Sequence, residues 1–343
     1  MSGRPPLLEV RGLTTTFSIG GVDVRAVRDV SFTLNRGEVV GLVGESGCGK
    51  SVTALSIMKL VPDPPGRITG GSVLLEGRDL LKMTASELRT IRGGRIAMVF
   101  QDPFSSLNPT MTVGDQIAEA IQAHAPVNRR QARQRAVELL RAVHMPSPEM
   151  RMRQYPHQIS GGQRQRVMIA MAFAGDPELI IADEPTTALD VTVQAQVLAL
   201  MEELRQRTGA AILLITHDLG VVAEACDRVM VMYAGQIVEE GNVEQLFRTP
   251  QHPYTQGLLA SLPAMDGPRM ARLPSIAGQP PALTDMRTGC AFADRCPKVM
   301  DVCRSVEPPL HVLGEGRASR CHLMGNGSRG QDAAPSGANP SSG

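Results

Sequence analysis

Eight residues, Gly44-Glu45-Ser46-Gly47-Cys48-Gly49-Lys50-Ser51, constrain this chain more than any other stretch. They follow an apolar run, Glu38–Val43, that reads as a strand, and they lead into Ser51–Leu60, which reads as a helix. The spacing is G-x-x-x-x-G-K-[ST], set between strand and helix as the pattern requires. Its glycines let successive backbone N–H groups curl around phosphate oxygens, and the helix N-terminus adds positive potential. In such a loop Lys50 reaches the β- and γ-phosphates and the Ser51 hydroxyl ligates Mg²⁺. A chance glycine-rich turn is the competing reading, and the flanking strand and helix weigh against it.

Around this loop, short apolar strands alternate with helices up to about Gly241. Strands are expected at Leu8–Thr16, Glu38–Val43, Arg95–Phe100, Leu179–Ala182, Ala211–Thr216 and Arg228–Tyr233. Several are continuous apolar runs, as strands covered on both faces are. Helices are expected at Ser51–Leu60, Arg129–Val143, Gln163–Ala174 and Val191–Thr208. The alternation predicts an α/β core with a mostly parallel sheet. Between Asp102 and Ser160 the pattern turns helical, so a helical subdomain, about 102–165, is expected to interrupt the sheet. After Gln251 the sequence becomes Pro-rich and loop-rich, and a small second module, 251–324, is expected there. The small, polar stretch 325–343 is expected to be disordered.

A second chemical element lies downstream. Leu179-Ile180-Ile181-Ala182 is an apolar strand that runs into Asp183 and Glu184. Asp183 at the strand's carboxyl end can hold Mg²⁺ through water, and Glu184 can polarise an attacking water as a general base. Alone, the pair reads more readily as a helix cap. Beside a phosphate loop that reading becomes the minor one.

Composition removes other classes. The 35 basic and 34 acidic side chains give a formal charge of +1, unlike a protein that coats nucleic acid. Seven Phe, three Tyr and no Trp leave little for base stacking. No apolar run approaches the about 18 residues of a membrane span, and the start lacks a secretory pattern. A soluble chain on the cytoplasmic side is the expectation.

Four further segments carry a resemblance. Ile159-Ser160-Gly161-Gly162-Gln163-Arg164-Gln165-Arg166 precedes a helix and resembles the signature of ABC ATPases. Gln101 in Phe100-Gln101-Asp102-Pro103 resembles their Q-loop, and Ala188-Leu189-Asp190 their D-loop. His217 in Ile215-Thr216-His217-Asp218 sits at a strand end like their switch histidine. Order and spacing match over roughly residues 5–250. The resemblance implies an ABC-type P-loop NTPase core over 1–250 that binds ATP with Mg²⁺. It implies nucleotide contacts from Phe17 (against adenine), Gly44, Ser46, Gly47, Cys48, Gly49, Lys50, Ser51, Val52 and Gln101. It also implies contacts from Ser160, Gly161, Gly162, Gln163 and Asp190, with Ser51, Gln101 and Asp183 at the metal and Glu184, His217 and Gln101 in catalysis. In this family two subunits meet head to tail, so the loop and signature of one chain serve different ATP molecules. Independently of the family, Ser160-Gly161-Gly162 before a helix makes a second anion-binding N-terminus.

Two features narrow the match. Tyr155-Pro156-His157-Gln158, with Gln251-His252-Pro253-Tyr254-Thr255-Gln256-Gly257-Leu258-Leu259 and then Leu262-Pro263, resembles the dipeptide and oligopeptide importer ATPases. The other feature is the quartet Cys290, Cys296, Cys303 and Cys321. Disulfides are disfavoured in a reducing cytosol. Four-thiolate zinc sites usually show close C-x₂₋₄-C pairs, absent here. Iron–sulfur clusters tolerate varied spacing. The importer ATPases resembled carry an extension of this form, in some members with a [4Fe–4S] cluster. The reading ranks the cluster ahead of zinc and either ahead of free thiols, with a structural role favoured over redox sensing.

The resemblance thus implies an ATP-hydrolysing subunit at the cytoplasmic face of the inner membrane, powering import of dipeptides or oligopeptides. Glutathione or nickel import is the nearest alternative, and a non-transport ABC ATPase a more distant one. The implied partners are a second, paralogous ATPase subunit, two membrane permeases and an extracytoplasmic binding protein, with no nucleic acid. Two details complete the expectations. Cys48, near a helix N-terminus, is expected to have a lowered pKa and react with alkylating agents, with a small residue at a tolerant position as the equal alternative. The Arg-rich run Asn128–Arg141 is expected to be a solvated helix face, and Cys226 to be buried packing.

Overall fold

The computed structural model describes residues 5–187, 189–261, 276–282, 284, 288–314 and 316–328. Ala188, Leu262-Pro263 and the tail beyond residue 328, all named above, lie outside the described residues.

The chain opens with β1 (Leu8–Ile19) and β2 (Val22–Leu34). They form a hairpin across Gly20-Gly21, with φ of 59° and 82°, the left-handed pair that a two-residue turn needs. β3 (Val39–Val43), α1 (Lys50–Ile57), β4 (Gly66–Leu75) and β5 (Arg78–Asp79) follow. A four-stranded antiparallel sheet has the order β2-β1-β4-β5. This corrects one expectation: Leu8–Thr16 belongs to this separate sheet and not to the alternating core. β2 shows why, since Val24, Ala26, Val30, Phe32 and Leu34 are buried while Arg25, Asp29, Ser31 and Thr33 are exposed. That is the alternation of a sheet with one wet face.

Next come α2 (Ala85–Ile91), β6 (Ile96–Val99) and a run of helices: α3 (Pro103–Ser106), α4 (Val113–His124), α5 (Arg129–Ala142), α6 (Pro148–Arg151) and α7 (Gly161–Ala172). The helical insertion therefore falls between β6 and β7 (Leu179–Asp183). α5 buries Ala132, Ala136 and Leu140. Its arginines pair outward, Arg133 with Asp115 and Arg135 with Asp176, giving the solvated face that its spacing predicts. α7 starts two residues earlier than expected, because Ser160 and Gln163 form a reciprocal capping box.

The remainder comprises α8 (Val191–Thr208), β8 (Ala211–Thr216), α9 (Leu219–Ala225), β9 (Arg228–Tyr233), β10 (Gln236–Asn242), α10 (Val243–Arg248), α11 (Pro253–Ala260), α12 (Asp301–Ser305), β11 (His311–Gly314) and β12 (Arg317–Ser319). The main sheet has eight strands in the order β11-β12-β10-β9-β3-β8-β7-β6. β9, β3, β8, β7 and β6 are parallel, and the other three add antiparallel at one edge. Successive residues of a central strand serve opposite cores. Ile180 and Ala182 face the helices, whereas Leu179 and Ile181 face α1 and the antiparallel sheet. Burial on both sides accounts for the unbroken apolar runs.

The C-terminal segment packs directly on the edge of the main sheet. β12 pairs with β10 through Glu239↔Ser319 and Glu240↔Ala318. Tyr254 and Phe292 share one core with Val43, Tyr233 and Leu246. Residues 325–328, within the stretch expected to be disordered, lie in a 3₁₀ helix, His322–Ser328.

Candidate functional site

The parallel strands deliver their carboxyl ends to one edge, where ligands bind in open α/β sheets. β3 ends in the glycine loop, β7 in Asp183 and Glu184, and β8 just before His217, while Gln101 follows β6. Four chain segments thus converge because their strands are neighbours. A cleft of about 440 Å³ at this edge is lined by Ala26, Ser46, Gly47, Gly49, Lys50, Ser51, Val52, Gln101, Glu184 and His217. Of these, only Ala26 is unexpected from sequence; it projects from β2, a strand whose alternation was the missed signal.

The loop's shape depends on its glycines. Gly44 has φ of 153°, and a Cβ there would lie 2.2 Å from the Met232 carbonyl oxygen. Gly49 has φ of 107°, and a Cβ there would lie 2.4 Å from the Ala26 carbonyl oxygen. Lys50 is 4% exposed and donates to the carbonyls of Gly44 (2.8 Å) and Glu45 (3.1 Å). Its Nζ also lies 4.0 Å from Glu184 Oε1.

The carboxylates differ in setting. Asp183 is buried and accepts a hydrogen bond from Ser51 Oγ at 2.9 Å. Burial pushes its carboxyl above the ordinary range, against the Ser51 hydrogen bond and with help from the neighbouring Glu184 charge. Glu184 has φ of 46°, a left-handed conformation uncommon for glutamate, fixed where its N–H donates to the Ile215 carbonyl at 2.8 Å. Its Oε2 accepts from Thr187 Oγ1 (2.9 Å) and Gln101 Nε2 (3.0 Å) and lies 3.4 Å from His217 Nδ1. Glu184 is therefore held by the residues read as Q-loop and switch, and Thr187 is a partner that the sequence did not single out.

Other expected residues sit elsewhere. Ser160 caps α7 in the helical insertion, with Gly161, Gly162 and Gln163 forming its first turn. Asp190 caps α8 by accepting from Val193 N–H at 2.9 Å. Phe17 is half-buried on β1 against Gly66 of β4, outside the set that lines the cleft. Cys48 departs from expectation most. It is 5% exposed, and burial raises its thiol pKa, with Lys50 opposing only in part. The loop turns its thiol inward, so desolvation outweighs the helix terminus. Cys226 is similarly pushed up to about 12, chiefly by burial.

None of the six cysteines is paired in a disulfide. Cys290, Cys296, Cys303 and Cys321 line one small cavity together with His252, Pro253, Phe292 and Lys298. Burial pushes Cys290 up to about 11, reinforced by the other three thiols, and also raises Cys296 and Cys321. Among the described residues, no three His, Cys, Asp or Glu side chains gather closely enough to hold a single metal ion.

Known proteins carry the same pattern. The model of the ABC transporter family matches residues 27–187, and that of the oligopeptide/dipeptide transporter C-terminal region matches residues 238–303. A probable peptide ABC transporter ATP-binding protein of Sinorhizobium fredii is 53% identical over 92% of this chain and 94% of its own length. An oligopeptide transport ATP-binding protein of Bacillus subtilis is 53% identical over 93% and 89%, and a dipeptide transport ATP-binding protein of the same organism 49% identical over 93% and 95%. Among solved structures, a dimeric ATP-binding cassette in a post-hydrolysis state with ADP and Pi superposes with a TM-score of 0.62 at 28% identity. That match covers 69% of this chain and 98% of that one.

Proposed function

The chain belongs to the ABC transporter ATPases, in the branch with the oligopeptide/dipeptide transporter C-terminal region, and from that premise we propose that it powers a peptide importer. The observation that carries the reading is the convergence of Lys50, the Ser51–Asp183 pair, Gln101, Glu184 and His217 on one cleft. Lys50 leaves the Gly44 and Glu45 carbonyls for the β- and γ-phosphates, and the loop amides cradle the chain. Bound Mg²⁺ neutralises charge on the phosphates; Ser51 and Asp183 would hold it, with Gln101 alongside. Glu184 takes the proton from a water whose oxygen attacks the γ-phosphorus as the bond to ADP breaks. His217 and Gln101 orient Glu184 and the γ-phosphate.

The signature residues Ser160–Gln163 and Asp190 are not part of this cleft's lining, which supports a partner cassette that completes it. The output is then closure and reopening of a dimer, coupled to two permease subunits. A paralogous second ATPase and an extracytoplasmic binding protein complete the assembly in this reading. In this reading the chain is a peripheral subunit at the cytoplasmic face of the inner membrane; among the described residues, no helix is long and apolar enough to cross a membrane.

The cysteine quartet is read as cluster ligands ahead of zinc on its spacing, which lacks close C-x₂₋₄-C pairs, and its four members line one small cavity. Cys290, Cys296, Cys303 and Cys321 would be the ligands of a [4Fe–4S] cluster, which when bound would cross-link the C-terminal segment.

ATPase rate of the assembly purified anaerobically with its accompanying subunits tests the whole reading. The binding protein is loaded in turn with dipeptides, longer peptides, glutathione or Ni²⁺. Stimulation by peptides is the expected result. Stimulation by glutathione or Ni²⁺ alone replaces the solute, and no response with no membrane subunits present overturns the transport reading.

A further inference from the structure

Glu45 is one of the variable positions of the phosphate loop, yet each of its polar groups is engaged. Its N–H donates to Tyr254 Oη at 2.9 Å. Its carboxylate takes both terminal nitrogens of Arg295, at 2.6 and 2.9 Å. Its carbonyl accepts from Lys50 Nζ at 3.1 Å. Two partners come from the far end of the chain, Tyr254 on α11 and Arg295 in a 3₁₀ turn beside Cys296.

Those two partners are themselves fixed. The Arg295 side chain is 6% exposed and donates further to the Ala277 carbonyl (3.0 Å) and Tyr233 Oη (3.3 Å). Tyr254 is fully buried, its ring centroid 4.5 Å from Tyr233 and 5.4 Å from Phe292. His252 caps α11 from within the same core, and the buried Glu239 of β10 holds the N–H groups of Gln251 and His252. A rigid aromatic block thus grips a loop whose glycines leave it conformationally free.

We propose that Arg295 and Tyr254 are positioning residues that hold the phosphate loop through Glu45, so that the C-terminal segment sets the affinity for ATP. The inference rests on the reading of Gly44–Ser51 as the ATP phosphate loop. A free loop must be ordered when phosphate binds, and that ordering subtracts from affinity. Pinning the Glu45 N–H and carboxylate removes part of this cost in advance. It also fixes the Glu45 carbonyl, from which Lys50 must swing to reach phosphate. A paired, desolvated guanidinium holds geometry well, because a departure leaves it buried without its counter-charge.

The test uses the full chain and measures Mg-ATP affinity with a fluorescent ATP analogue, alongside the melting temperature without nucleotide. Glu45→Gln and Tyr254→Phe keep side-chain volume and carry the test even where Arg295→Met folds poorly. Each is expected to weaken ATP binding roughly tenfold, the weight of one charge-assisted or buried hydrogen bond. The Glu45→Gln/Arg295→Met double variant is expected to be no weaker than the worse single variant, and Arg295→Lys to recover part of the loss. Lys50→Ala serves as the control for the loop itself. Wild-type affinity in Glu45→Gln and Tyr254→Phe, with binding abolished by Lys50→Ala, overturns the positioning role and leaves the loop reading intact. Failure of the wild-type chain to bind ATP overturns both. Lower melting temperatures with unchanged ATP affinity reduce the contacts to a staple and also overturn the proposal.

Discussion

Ser51 Oγ donates to Asp183 Oδ1 at 2.9 Å, tying the first turn of α1 to the end of β7 across 132 positions of sequence. One hydrogen bond does not compensate a buried carboxylate, and the carboxyl of Asp183 is accordingly held above its usual range by burial. A folded-state pKa above the unfolded value means a contribution to stability that is present at low pH and lost as pH rises. At neutral pH the chain without metal therefore carries a destabilising charge at the position where Mg²⁺ is expected.

Asp183→Asn keeps an acceptor for Ser51 and removes that charge. The variant is expected to gain about 1 kcal/mol of stability at pH 7 without nucleotide, while Mg-dependent hydrolysis is abolished. Paired denaturant titrations at pH 7 measure the first effect and ATPase assays the second. A less stable variant would contradict the burden assigned to Asp183.

Glu184→Gln preserves size and a polar contact with Thr187 and Gln101 while removing the base. ATP affinity is expected to stay within about threefold of wild type as the single-turnover hydrolysis rate falls roughly 10²–10⁴-fold. The variant should accumulate as a nucleotide-bound closed dimer, visible by light scattering. Near-normal turnover would exclude Glu184 as the base.

Cys48 is buried with a raised thiol pKa, so native protein is expected to resist iodoacetamide at this position at pH 7.5. Labelling should appear only on unfolding, read by peptide mass spectrometry in the presence and absence of denaturant. Rapid native labelling at Cys48, blocked by ATP, would restore the reactive-loop reading that the geometry disfavours.

The cysteine quartet makes a compositional prediction. Anaerobically purified protein is expected to contain iron and acid-labile sulfide in equal amounts, and Cys303→Ser to lose both and melt at a lower temperature. Zinc in place of iron would identify the single-ion site. Wild-type chain free of either metal after purification from its native source would leave four thiols and remove the cluster.

Legibility in the sequence followed the range of the interactions. The glycine loop, its strand and its helix are local, and the two-sided burial of Leu179–Asp183 writes itself as an unbroken apolar run. The antiparallel sheet was signalled more faintly. Gly20-Gly21 between Ile19 and Val22 is a hairpin turn, but the strands around it mix charges with apolar residues and lack a continuous run. The grip of Arg295 and Tyr254 on Glu45 had no local trace. It arises only when α11 and the Arg295 turn fold back onto β9, some 209 and 250 positions from the residue they hold. The inward Cys48 thiol had no local trace either, since its burial comes from a core shared with the distant Met232, and Gly235 N–H donates to the Cys48 carbonyl at 2.8 Å.

His252 gives the chain a predictable acid limb. It is 1% exposed, and burial lowers its pKa to about 4, partly opposed by the Arg320 backbone. An unfolded histidine titrates near 6.5, so between pH 6.5 and 4 the unfolded state binds more protons. Stability from this residue is complete above the unfolded pKa and is lost as pH falls through that window, by up to about 3 kcal/mol. His252→Asn retains an acceptor for the Tyr254 N–H but does not titrate. Denaturant titrations of both proteins at pH 7, 5.5 and 4.5 should show a shallower acid loss in the variant, even where its stability at pH 7 is lower. Because His252 seats Tyr254 and Tyr254 holds Glu45, ATP affinity of the wild type should weaken over the same range before the chain unfolds. Parallel acid limbs in the two proteins would show that protonation of His252 is not what destabilises this core.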